Sequence, residues 1–158
     1  MQQNINAGRG FIYGYNAGLK AYLLPNLEFY SSINYTYGRI HTDSVAYPLD
    51  HIPPVFGKSG IVFKYKNLRT ELFSIYNGWK KLKDYNLVGE DNFSQATSSG
   101  MPAWFTLNCK VDYYINSNVH IQLGIDNLLD RNYRGFGSGI SAPGRNFIVS
   151  VRANIGSK

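Results

Sequence analysis

Residues 104–126 read WFTLNCKVDYYINSNVHIQLGID, and their rhythm decides the fold. Phe105, Leu107, Cys109, Val111, Tyr113 and Ile115 share one parity, with Asn108, Lys110 and Asp112 between them. After the polar triplet Asn116-Ser117-Asn118 the rhythm resumes, and Val119, Ile121, Leu123 and Ile125 oppose His120, Gln122 and Asp126. Successive side chains of a strand point to opposite faces. A period of two over this length therefore reads as two strands, each with an apolar and a polar face, joined by a tight turn.

The same pattern runs through the rest of the chain. Tyr13, Tyr15, Ala17, Leu19, Ala21 and Leu23 alternate with residues that include Asn16 and Lys20. A turn at Pro25-Asn26 leads to Leu27, Phe29, Ile33, Tyr35 and Tyr37, set against Glu28, Asn34 and Thr36. Ile61, Phe63 and Tyr65 oppose Lys58, Lys64 and Lys66, and a link at Lys66-Asn67 follows. In LRTELFSIYNGW, Leu68, Leu72 and Tyr76 oppose Arg69 and Glu71, but Phe73 and Ile75 fall on the polar parity, which predicts a bulge. Phe147, Val149, Val151, Ala153 and Ile155 close the series against Asn146, Ser150, Arg152 and Asn154. The expectation is an all-β, antiparallel up-and-down meander of about seven long strands.

Two features point to a membrane. The strands run to about 10–13 residues, beyond the roughly 5–6 usual in soluble sheets and close to the 9–11 of tilted membrane-crossing strands. The connections alternate between tight turns, near Asn26, Asn67 and Ser117, and long polar loops over roughly 39–57, 79–103 and 127–145, as outer-membrane barrels do. Tyr13, Tyr15, Tyr35, Tyr37, Tyr76, Trp79, Trp104 and Phe147 then gather at the long-loop end, and Phe29, Phe63, Tyr65 and Tyr113 at the other. Aromatic belts at both interfaces follow from amphipathic rings settling at headgroup depth. The alternative from residues alone is a soluble sheet with one wet face, such as an all-β carbohydrate- or nucleic-acid-binding module.

Composition narrows the function classes. Charged residues make up 16% and aromatics 15% of 158 residues, and the net charge of +6 is scattered singly, without the basic runs that track nucleic acid. One cysteine, Cys109, excludes an internal disulfide framework and any multi-cysteine metal site. No apolar run is long enough for a membrane-spanning helix, a test to which barrel strands are invisible.

The loops hold the chemistry-bearing candidates. Gly135, Gly137 and Gly139 resemble a phosphate cradle, but NFIVSVRANI after them alternates as a strand, where a dinucleotide loop needs a helix. Their expected role is to supply turns and close backbone approach. His41, Asp43, Asp50 and His51 are residue types that bind divalent cations, yet HTDSVAYPLDHIPP lacks regular ligand spacing and its three prolines indicate a rigid surface loop. Asp84 with Glu90-Asp91 would suit a glycosidase if two carboxylates converged, and otherwise belongs to a solvated loop. Trp79, Tyr85, Met101 and Trp104 could line a ligand-stacking mouth or anchor at the interface. The ligand-contact candidates are thus His41, Asp50, His51, Trp79, Tyr85, Trp104 and Arg134, with no catalytic residue and no cofactor.

With those motifs on the page, the chain resembles a known family. INYTYGR, YPLDHIPPVFGKSG, YNGWKKLKDYN, GEDN, GMPAWFTLN and above all IDNLLDRNYRGFGSGISAPGRNF are similar to the C-terminal part of the β-barrel of TonB-dependent outer-membrane receptors, especially those of Bacteroidetes-type bacteria. The resemblance implies a Gram-negative outer-membrane barrel of about two dozen strands around an N-terminal plug, in contact with lipid. It also implies iron uptake as a siderophore complex, or import of another small-molecule nutrient, energised by the TonB complex. Residues 1–158 are then expected to be one segment of that barrel, without plug or TonB-contacting box and unable to transport alone. Free sheet edges lead to the same expectation, because unpaired strands in lipid leave backbone groups unsatisfied at several kcal/mol each. The ending RANIGSK departs from the aromatic terminus common in such barrels. A porin-like or structural barrel piece remains the alternative within the membrane class.

Overall fold

The computed structural model describes residues 8–42, 45–86 and 93–155. They form one antiparallel sheet: β1 (Arg9–Leu24), β2 (Leu27–His41), β3 (Ala46–Pro48), β4 (Phe56–Tyr65), β5 (Leu68–Asn77), β6 (Trp104–Tyr114), β7 (Val119–Asp126) and β8 (Asn146–Ala153). Seven strands follow one another in chain order, and β3, inside the first long loop, adds only a short pairing to β2. The sheet is open, with β1 and β8 as its edges. Among the described residues the loops carry two short 3₁₀ turns, Leu82–Asp84 and Phe93–Gln95, and the isolated bridges Lys80↔Met101 and Thr97↔Gly100.

The tight ends are built by local chemistry. Tyr65 pairs with Leu68 across a two-residue link in which Lys66 takes a φ of 51°. At the next turn Asn116 Oδ1 accepts the amides of Asn118 (2.8 Å) and Val119 (2.9 Å), so the side chain replaces a missing ladder bond. The long ends belong to the β2–β4, β5–β6 and β7–β8 connections, as the sequence predicts.

Register assigns every strand residue to a face. Glu28, Val62, Glu71, Lys110 and Gly124 lie opposite one another across β2, β4, β5, β6 and β7. The other parity carries Leu19, Ile33, Ile61, Leu72, Leu107, Leu123 and Val149. On this apolar parity the only formal charges among the described strand residues are Arg9 and Arg39, both beyond Asn34↔Phe56, the last β2–β4 pair. Above that pair β1 and β2 continue together to Arg9↔His41 as a projecting ribbon, joined at its end by β3. Its apolar parity bears an aromatic run in which Phe11 lies 5.3 Å from His41 and Tyr13 5.2 Å from Tyr37.

The expected bulge near Phe73 is absent. β5 pairs with β4 and β6 without a register shift, and the one irregularity lies in β1, between Tyr22 and Leu24. Phe73 keeps its place on the polar face because it is useful there: the ammonium groups of Lys58 and Lys110 sit 4.0 and 5.3 Å from its ring centroid. A ring face attracts a desolvated cation, so this apolar residue belongs to the charged surface without breaking the strand.

Candidate functional site

The polar face carries a ladder of charge. Arg69 donates to Glu71 at 2.9 Å and to Asp112 at 3.1 Å, while Lys58 reaches the other Glu71 oxygen at 3.1 Å. Tyr30 donates to that same oxygen, and Gln122 extends the chain to β7 through Asp112 at 2.6 Å. Lys20 bonds Glu28 at 3.0 Å on the β1 side. Glu71 is 8% exposed and Asp112 4%, so these carboxylates are held by cations rather than by water. Tyr30 lies flat across Gly60, where an added Cβ would stand 2.6 Å from the phenol oxygen.

The opposite face has no such network. Leu19, Leu123 and Val149 are 59%, 51% and 73% exposed, and Phe63, Leu72, Phe105 and Phe147 join them. Large apolar side chains exposed together on one face, on β1 and on β4 through β8, are not the small, scattered patches of a soluble monomer. Some hydroxyls on this side are matched internally, Ser31 with Ser59 at 2.8 Å and Tyr76 to the Ser32 carbonyl at 2.9 Å. One face suits hydrocarbon and the other suits a polar interior.

The third long loop is clasped at its base. Asn127, 3% exposed with a φ of 53°, donates its amide to Asn108 Oδ1 at 2.9 Å. Its side chain holds both edges of Arg131, donating to the carbonyl at 2.8 Å and accepting from the amide at 2.9 Å. Asp130 Oδ1 accepts the Arg145 amide at 2.7 Å, and the Arg145 side chain returns to the Leu128 carbonyl at 3.0 Å. DNLLDRNY and APGRNF are therefore the two halves of one lock, which brings β8 back beside β7. The glycine triplet supplies a turn, as expected: Gly137 has a positive φ, 74°, and Ser138 donates its amide to the Gly135 carbonyl at 3.1 Å. The expected close approach is not made there, since among the described residues no atom lies within 4 Å of a Cβ built on Gly135, Gly137 or Gly139. The close approach occurs at Gly144, whose Cβ would meet Asp130 Oδ1 at 2.6 Å.

The sequence-derived candidates do not converge on a single site. His41 stands at the open end of the β1–β2 strand pair against Phe11, while Asp50 and His51 lie in the loop between β3 and β4, His51 with a φ of 58°. Asp43 and the Glu90-Asp91 pair fall outside the described residues. Among those described, no three His, Cys, Asp or Glu side chains gather as a metal site. Asp84 pairs with Arg39 at 3.0 Å. Trp79, its indole on the Ser99 carbonyl at 2.9 Å, borders a cavity of about 540 Å³ together with that ion pair. Tyr85 is buried in loop packing, edge-on to Phe93.

Trp104 and Arg134 do come together. Trp104 pairs with Asn77 at the upper end of β6 and shares the polar parity of Thr106 and Asn108, so it is not part of a lipid-side belt. Its ring lies 4.2 Å from that of Tyr133, and both line a cavity of about 300 Å³ between the second and third long loops. Met101, Arg131 and Arg134 line the same space, with Arg134 donating to the Gln95 carbonyl at 2.8 Å. Among the described residues the buried Trp104 Nε1 has no acceptor, a cost of roughly 1–3 kcal/mol that the ring contact must offset. Tyr133, Arg131 and Asn127 were not singled out from the sequence. Their signal, in retrospect, is DNLLDRNY itself, in which Asn127 and Asp130 reach backbone three or more residues away.

Comparisons with known proteins agree with this architecture. Residues 1–128 match the family model described as TonB dependent receptor-like, beta-barrel. The copper transporter OprC superposes with a TM-score of 0.76 at 20% identity, covering 91% of this chain and 23% of OprC. The ferric yersiniabactin uptake receptor FyuA from Yersinia pestis gives 0.63 at 20% identity, with 94% and 24% covered. The ferric citrate transporter FecA in its unliganded form gives 0.62 at 18% identity, with 81% and 21% covered. At these identities the likeness is one of fold, and the chain spans about a quarter of each receptor's length. No curated protein sequence matches. The family match extends over most of the chain and accounts for its two unlike faces: this chain belongs to the TonB-dependent receptor-like β-barrel family.

Proposed function

We propose that these residues form the C-terminal part of a receptor barrel in a Gram-negative outer membrane, importing a siderophore-bound metal or another small nutrient with energy from the TonB complex. The observation that carries the proposal is the division of faces. An apolar surface free of charge below the Asn34↔Phe56 level backs an ion ladder through Glu28, Glu71 and Asp112. Such a sheet is stable in lipid only when its edges are paired, because each unsatisfied backbone group there costs several kcal/mol. The strands that pair β1 and β8, and the plug that fills the polar interior, belong to the rest of the receptor in this reading. The long loops face the exterior and meet the nutrient first.

The test is depletion of a complex nutrient medium by cells that carry or lack the intact receptor, with and without a proton uncoupler. A solute removed only by energised, receptor-bearing cells is the expected result, and its identity names the cargo. Depletion that survives the uncoupler would point to passive diffusion and overturn the energised-import reading.

A further inference from the structure

We propose that the cavity between the second and third long loops is a subsite for a small anion carrying a flat, unsaturated ring; the inference deepens the receptor reading above and rests on it. The ring wall is the Trp104–Tyr133 pair, with centroids 4.2 Å apart. Charge comes from Arg131 and Arg134, while the other described residues of the lining, among them Gln95, Thr97 and Ser141, include no carboxylate. Among the described residues neither guanidinium has an acidic partner. Arg134 spends one donor on the Gln95 carbonyl, and Arg131 rests 5.8 Å from the Phe105 ring. This sets the cavity apart from the polar face, where Arg69 is held by two carboxylates. A guanidinium presents a planar fork of donors that suits a carboxylate or phenolate and stacks well beside aromatic rings. At about 300 Å³ the space is at the small end of ligand pockets, enough for one ring and its anionic substituent.

The site is also held in advance. Asn127 grips the Arg131 backbone on both sides, and Tyr133 accepts the Ala142 amide at 2.8 Å, so the base of the loop is fixed. Such preorganisation lowers the ordering cost of binding. A free loop of this length would dissipate that gain.

The experiment uses the intact receptor in detergent and three probes, benzoate, benzamide and acetate, followed by saturation-transfer NMR. Benzoate should bind at least about tenfold more tightly than benzamide or acetate, since only it satisfies both the guanidinium and the ring wall. Arg131→Gln with Arg134→Gln should weaken benzoate about tenfold and leave benzamide unchanged, and Tyr133→Leu should weaken both ring-bearing probes. Equal binding of benzoate and benzamide, equal binding of benzoate and acetate, or benzoate binding indifferent to the paired arginine change would each overturn the assignment. Unaltered β-sheet circular dichroism shows that a variant is folded. Energised uptake that persists while benzoate fails to bind removes this subsite and leaves the receptor reading standing. Arginine-dependent benzoate binding with no energised uptake supports the subsite and removes the transport reading.

Discussion

Glu71 and Lys20 lie on the same polar face, yet they live in different worlds. Glu71, at the centre of the sheet, has β4 on one side and β6 on the other and is nearly closed off from solvent by Lys58, Arg69 and Tyr30. Lys20, on edge strand β1, has one neighbouring strand, and its side chain is 55% exposed although it bonds Glu28 at 3.0 Å. At the other edge β8 is exposed almost throughout. The sequence pattern is identical in centre and edge, so the difference comes from neighbours alone. The edges show what a closing strand would cover.

The strongest way to break this comparison is at its centre. Glu71→Leu strands Lys58 beside a buried apolar group and leaves Arg69 with Asp112 alone, and should cost the intact barrel about 3–5 kcal/mol in urea unfolding. Adding Lys58→Met should recover part of that loss, because the stranded cation is gone. A single change that left the midpoint untouched would show that the ladder is not closed from water. Next comes the parity of the edge itself. Val149→Arg places a charge on the lipid face of β8 and should cost roughly 2–4 kcal/mol if it lies near mid-membrane, whereas Ser150→Arg, one residue on, should be close to neutral. Equal costs for the two would mean that β8 has no lipid side.

A smaller effect is expected at the lock that returns β8 to the sheet. Asn127→Ala leaves the Arg131 amide and carbonyl without their partner and should cost about 1–3 kcal/mol, with faster hydrogen exchange at Arg131 and Arg145 as its specific sign. Exchange confined to the loop tip would assign the lock a lesser role. The smallest change belongs to Lys20→Gln, which should leave the unfolding midpoint where it was, since an exposed ion pair exchanges readily with water. If it matched Glu71→Leu, centre and edge would be equivalent in the closed barrel.

Much of the sheet is legible in residue order because alternation is a local signal. Phe105 to Ile115 and Val119 to Ile125 announce their faces without help from any other segment. The aromatic break at Phe73 was misread as a bulge for a related reason. Periodicity records whether a residue is apolar, but not that two lysines from neighbouring strands will lie over its ring. The loops were legible only in part. Trp104 and Arg134 were identifiable by type, whereas Tyr133, which joins them, needed the fold to bring it 29 residues back along the chain to Trp104.

By itself, then, the sequence determined the strands, their two faces and the order of short and long connections, since each follows from a period of two and from turn residues a few positions apart. The tertiary structure alone decided which cations hold Glu71 and Asp112, that Asn127 and Asp130 clasp the third loop, and that two loops enclose an arginine-lined cavity. Those outcomes depend on register between strands and on contacts between distant segments, and neither is written in the local alternation of the chain.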